Sequence, residues 1–219
     1  MSKLKIKVCG LRDPENIAGV AALPIDLVGF IFYKKSPRFV GSGLEKWLKK
    51  NDSSLEGKKR VGVFVNDSIE NVLNAVHDYQ LDFVQLHGDD EPEYCAMLTD
   101  LWQATSVRRA DIIKAFRVDD DFDFSDTQPF APFCKYFLFD TATPAFGGSG
   151  QAFDWSILEK YKGATPFFLS GGIDESMVSA IKNLDHLMLA GIDLNSRFEI
   201  APGVKDIDKI QSFINELRS

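Results

Sequence analysis

Apolar and polar positions fall into two alternating textures along the chain. Short, continuous apolar runs rich in β-branched and aromatic residues predict buried strands. There are eight: KIKVCG from Lys5, DLVGFIF from Asp26, RVGVFV from Arg60, DFVQLHG from Asp82, IIKAFRV from Ile112, KYFLFD from Lys135, PFFLSGG from Pro166 and LMLAGID from Leu187. Helical patterns lie between them. PENIAGVAAL follows Asp13, an N-cap residue type, with Pro14 at the first helical position. SIENVLNAVHDY places Ile69, Val72, Leu73 and Val76 at the helical period. LEKWLKK, PEYCAMLTDL, WSILEKY, SMVSAIKNL and DIDKIQSFINEL complete the set. The stretch from Asp119 to Phe133 holds five Asp and two Pro and predicts a solvated loop with a short or irregular helix.

The seven intervals from Lys5 to Leu187 average 26 residues. A strand, a helix and two short loops need about that length. Eight such units predict one α/β domain, a (β/α)8 barrel over residues 1–219. A doubly wound open sheet is the second choice, with fewer strands. In a barrel, residues at the C-terminal strand ends face one mouth.

Composition narrows the function. Hydrophobic residues make up 45% and charged residues 26%, which excludes bulk disorder. No apolar run reaches the ~20 residues of a membrane-spanning helix. The opening MSKLKIKVCG lacks the apolar core of a signal peptide and reads as the start of the fold. The net charge of −7, without a basic stripe, points away from nucleic acid and from membrane surfaces. An anionic ligand must then be held by local devices. Three cysteines, Cys9, Cys95 and Cys134, form no CxxC, and an odd count fits no disulfide framework. A reducing cytoplasm is the expected setting.

The strand ends carry the candidate chemistry. Gly147, Gly148, Ser149 and Gly150 follow the sixth strand, and Gly171 and Gly172 end the seventh. Each cluster alone reads as a turn. At consecutive barrel tips they favour a phosphate cradle, because glycine lets backbone N–H groups converge on an anion. Asp140 leaves an aromatic strand, where burial raises a carboxyl pKa and suits a general acid; capping the next loop is the other reading. Cys9 ends the first strand and reads either as a small buried hydrophobe or as a thiolate base with a lowered pKa. Cys95 and Cys134 read as packing. Arg38, in KKSPRFV, offers a planar guanidinium for a carboxylate. His87, in QLHG, donates either to a ligand or to a neighbouring loop.

Together these segments resemble the phosphoribosylanthranilate isomerases of tryptophan biosynthesis. The match runs through KVCGLRDPENI, GFIFYKKSPRFV, VGVFVN, VQLHGDDEP, KAFRV, LFDTATPAFGGSGQAFDWS, FFLSGGI, GIDLNSRFE and PGVKD, in order from Lys7 to Asp206. The resemblance implies a (β/α)8 barrel with no cofactor and no metal, acting on a phosphorylated small molecule. It implies an Amadori rearrangement with Cys9 as general base and Asp140 as general acid. It gives Arg38 the anthranilate carboxylate and makes His87 substrate-binding. The phosphate falls to Gly148, Ser149, Gly150, Gly171, Gly172, Asn195 and Ser196.

The chain departs from the family pattern at Arg12, often Thr, and at Asn195 and Arg197 in Asp193–Glu199, where D-V-S-S-G-V-E is expected. A glycine at position 197 would suit a positive φ; Arg197 either adds charge to the phosphate site or points to solvent. Two other functions fit the same barrel: another sugar-phosphate isomerase, or a non-catalytic sugar-phosphate binder. With no apolar stripe that forces association, a monomer is expected.

Overall fold

The structure is a computed structural model that describes residues 4–104, 107–141 and 155–219. Eight parallel strands close in sequence order into a barrel. They are β1 (Lys5–Val8), β2 (Leu27–Ile31), β3 (Lys59–Phe64), β4 (Phe83–Leu86), β5 (Asp111–Val118), β6 (Cys134–Thr141), β7 (Phe167–Ser170) and β8 (Leu189–Leu194). β1 pairs with both β2 and β8, which closes the sheet. The open-sheet alternative is therefore excluded, and each predicted strand forms within a few residues of its apolar run.

The helices are α1 (Pro14–Ala21), α2 (Leu44–Lys50), α3 (Ile69–Asp78), α4 (Pro92–Ala104), α5 (Val178–Asn183) and α6 (Ile207–Arg218). Local chemistry starts them where the pattern predicts. Asp13 accepts a hydrogen bond from the Asn16 amide at 2.8 Å, satisfying one of the unpaired N–H groups of the first turn of α1. Asp206 does the same for Lys209 at 3.0 Å in α6. WSILEKY forms a 3-10 helix, Trp155–Lys160, instead of an α-helix. A segment this short can bury Trp155, Ile157 and Leu158 from a tighter coil. The Asp-rich stretch holds the 3-10 helix Phe124–Phe130, as its composition suggests.

Strand side chains alternate between two cores. Outward residues pack under the helices. Inward residues Leu27, Val61, Phe83, Ile113, Ala115, Leu138 and Phe168 plug the lower barrel. Towards the C-terminal ends the inward positions turn polar: Lys7 and Cys9, Gln85 and His87, Asp140, Ser170, and Asp193 and Asn195. After β8 comes a short hairpin, β9 (Glu199–Ala201) and β10 (Val204–Lys205), that the sequence pattern does not reveal. It folds back on α1. The Asn16 Nδ2 donates to the Lys205 carbonyl and the Lys205 amide donates to Asn16 Oδ1, both at 2.8 Å.

Candidate active site

A cleft of about 320 Å³ opens at the C-terminal ends of the strands. Cys9, Gln85, His87, Asp140, Asp193 and Asn195 line its polar floor and walls, with Ile31, Tyr33, Val63 and Val65 on an apolar side. The strand alternation that fills the lower barrel thus delivers chemically active side chains to the cleft.

Cys9 is nearly fully buried. It fits because residue 29 is glycine: a Cβ there would sit 2.9 Å from the Cys9 sulfur and 3.0 Å from its Cα. Below it, Lys7 Nζ lies 2.9 Å from both carboxylate oxygens of Asp193, and this pair is buried. Burial pushes the Cys9 thiol above its usual range, against the opposing pull of the Lys7 ammonium. Of the two readings of Cys9, the lowered thiol is not what the site produces, because lost hydration of the thiolate outweighs the cation beside it. Burial also disfavours the Lys7 ammonium, yet the Asp193 carboxylate and the Cys9 sulfur hold it above its ordinary value.

Across the cleft, Gln85 Nε2 lies 2.9 Å from His87 Nδ1, a hydrogen bond that fixes the orientation of the imidazole. His87 Nε2 lies 3.4 Å from Asp140 Oδ2. The Asp140 side chain remains 33% exposed, so it is not the fully buried carboxyl that its aromatic strand suggests. The strand buries its aromatic rings, while Asp140 emerges at the mouth. Gln85 Oε1 is buried without a hydrogen-bond partner among the described residues.

The upper wall consists of two loops. Gly171 and Gly172 follow β7, and Asn195, Ser196 and Arg197 follow β8. Gly171 adopts φ +104°, and a Cβ there would clash with the backbone and hydroxyl of Thr141. A side chain is excluded on both counts, so backbone alone borders the cleft at this position. Behind this wall, Arg38 Nε donates to Glu199 Oε1 at 2.9 Å and Oε2 at 3.0 Å, and its Nη2 to Oε2 at 2.6 Å. Lys205 Nζ reaches Glu199 Oε1 at 2.7 Å and Asn195 Oδ1 at 2.8 Å. Glu199 is buried, but its two cationic partners hold its carboxyl below the usual range. Among the described residues, no group of three or more His, Cys, Asp or Glu is placed to hold a metal ion.

The sequence profile of the family described as N-(5'phosphoribosyl)anthranilate (PRA) isomerase matches residues 6–216. The N-(5'-phosphoribosyl)anthranilate isomerase of Parabacteroides distasonis is 49% identical, with 97% of this chain and 92% of that one covered. The chain belongs to the phosphoribosylanthranilate isomerase family. That of Phocaeicola vulgatus is 41% identical, with 97% of both chains covered. The crystal structure of the Thermotoga maritima isomerase superposes with a TM-score of 0.80 at 31% identity over 99% of both chains. Another structure, of a phosphoribosylanthranilate isomerase in complex with reduced 1-(o-carboxyphenylamino)-1-deoxyribulose 5-phosphate, gives 0.78 at 28% identity, with 99% of both chains covered. An intramolecular isomerase of tryptophan biosynthesis follows from membership of the phosphoribosylanthranilate isomerase family.

In this family member, Cys9, His87, Asp140, Gly171, Gly172, Asn195 and Ser196 share the cleft. Gly148, Ser149 and Gly150 lie outside the described residues. Arg38 does not line the cleft. It lies beside it, where it and Asn195 meet over Gly10. Arg197 lines the cleft, is exposed, and does not take a positive φ, so arginine is accommodated without strain. The departure at Arg12 has a local use: its Nη1 donates to the Pro37 carbonyl at 3.0 Å, joining the first and second loops. Lys7, Gln85, Glu199 and Lys205 were not read from the sequence as site residues. A charged or amide residue inside an apolar strand was the available signal for the first two. For the hairpin pair the signal was their place in the matching segments GIDLNSRFE and PGVKD. Among the described residues, no helix is long and apolar enough to cross a membrane.

Proposed function

We propose that this chain converts N-(5-phosphoribosyl)anthranilate to 1-(2-carboxyphenylamino)-1-deoxyribulose 5-phosphate by acid–base catalysis. The observation that carries the reading is Cys9 and Asp140 facing one cleft whose rim holds Gly171, Gly172, Asn195 and Ser196. Asp140 protonates the furanose ring oxygen, and the ring opens to a protonated Schiff base. Cys9, as thiolate, removes the proton from ribose C2. The C2–H electron pair forms a C1–C2 double bond and the iminium pair returns to nitrogen, giving an enolamine that tautomerises to the ketone. The anthranilate nitrogen is the only electron sink required, and neither a cofactor nor a metal enters the scheme.

The phosphate is held by backbone N–H groups after β7 and by the Asn195–Ser196 turn, together with the Gly148–Ser149–Gly150 loop. Arg197 adds a positive charge at the same rim. Arg38 presents its outer edge to the anthranilate carboxylate, since Nη1 has no hydrogen bond among the described residues while Glu199 holds the other edge. His87, oriented by Gln85, contacts the substrate beside Asp140. The chain is expected to act as a monomer; sedimentation at working concentration checks this.

The test is enzyme-dependent disappearance of the fluorescence of substrate formed in situ from anthranilate and phosphoribosyl pyrophosphate. Turnover supports the reading; a folded wild type that leaves the signal unchanged overturns it. In the same assay, Arg38→Ala is expected to raise KM about 10- to 100-fold, the equivalent of a lost charged hydrogen bond, with a smaller change in kcat. An unchanged KM would place carboxylate recognition elsewhere.

A further inference from the structure

We propose that Lys7 is a positioning residue for the base: its ammonium, pinned by Asp193, is the countercharge that the Cys9 thiolate requires. This rests on the reading of Cys9 as the base.

Lys7 and Cys9 are two residues apart on β1, so their side chains share the barrel interior. Lys7 is fully buried, and Asp193 stands opposite it in register on β8. The bidentate contact at 2.9 Å to each carboxylate oxygen fixes the ammonium beneath Cys9 on the same face of β1. Packing does not demand a lysine here. The apolar residues Leu27, Val61, Leu138 and Phe168 pack together in the lower barrel. Burying an ion pair costs several kcal/mol of desolvation per ion, and apolar replacements often do as well or better. A pair kept at the level where the barrel meets the cleft therefore points to chemistry.

The charges acting on Cys9 are Lys7 on its own strand, Asp193 on β8, Lys205 on the hairpin and Arg38 after β2. Asp140 and His87 act on Asp193 from across the cleft. Lys205 and Arg38 share the single Glu199 carboxylate, which offsets one of their two charges. Lys7 shares Asp193, yet of the cations it is the one on the strand of Cys9 itself, two residues away on the same face, and its pull on the thiol exceeds that of Lys205. Removing a proton from Cys9 beside a fixed ammonium needs no reorganisation of the site.

The test is a pH titration of the Cys9 thiolate by its ultraviolet absorbance, taken as the difference between each protein and its Cys9→Ser counterpart. Lys7→Met is expected to raise the midpoint by about one unit or more, leaving about tenfold less thiolate at a fixed lower pH. Lys7→Arg keeps the charge and is expected to stay near wild type. Should Lys7→Met fail to fold, Lys7→Met/Asp193→Asn neutralises the pair at similar volume and is expected to show a smaller rise. The acidic limb of kcat/KM should move with the midpoint. A folded charge-free variant whose midpoint stays put or falls overturns the proposal. The titration needs no substrate, so failure of the isomerase assay and failure of this proposal are separate results.

Discussion

Cys9→Ser is expected to lower kcat by about 10²–10⁴-fold, the usual contribution of a positioned base, while the fold is retained. Serine is nearly isosteric, so the close approach to Gly29 survives. Its hydroxyl, however, yields no useful fraction of anion under these conditions. A product analogue should bind the variant about as tightly as wild type, because phosphate and carboxylate contacts lie elsewhere. The pH dependence has a definite sign. The base works deprotonated, and burial holds the free thiol above its ordinary value near 8.5. The kcat/KM of the wild type should therefore still rise with pH beyond that value. Near-normal turnover by Cys9→Ser, or a kcat/KM already level at neutral pH, would count against Cys9 as a base that titrates in the free enzyme.

Asp140→Asn is expected to cost a similar factor, about 10²–10⁴-fold in kcat, at another step. Asparagine keeps the shape and one hydrogen-bonding oxygen but has no proton to give to the ring oxygen. The neighbouring His87 makes the experiment informative. Its Nε2 lies 3.4 Å from Asp140 Oδ2 and faces the same cleft. If Asp140→Asn turns over normally and His87→Asn does not, the acid is His87. If both variants fail, but only Asp140→Asn fails with normal substrate affinity, Asp140 is the acid and His87 positions it or the substrate.

The sequence by itself determined the strand count, the spacing of the units, and the residues that stand at the strand tips. Those follow from local rules. Apolar runs of five to eight residues must be buried on both faces in a parallel sheet. Caps such as Asp13 start helices from within the segment. The position of Cys9, Asp140 and Gly171 at one mouth then follows from a barrel whose strands all point one way.

The electrostatics and the cross-chain partners were decided by the tertiary structure. Lys7 and Asp193 are separated by 186 residues and meet only because β1 closes against β8. Arg38 and Glu199 meet across 161 residues through a hairpin with no apolar signature of its own. Asp140 remains partly exposed, while Cys9 is buried and its thiol is pushed upward. Both stand at strand ends in the sequence, and nothing local separates them. Burial depends on what the neighbouring strands bring to the same layer, and the balance of desolvation against nearby charge exists only once that layer is assembled.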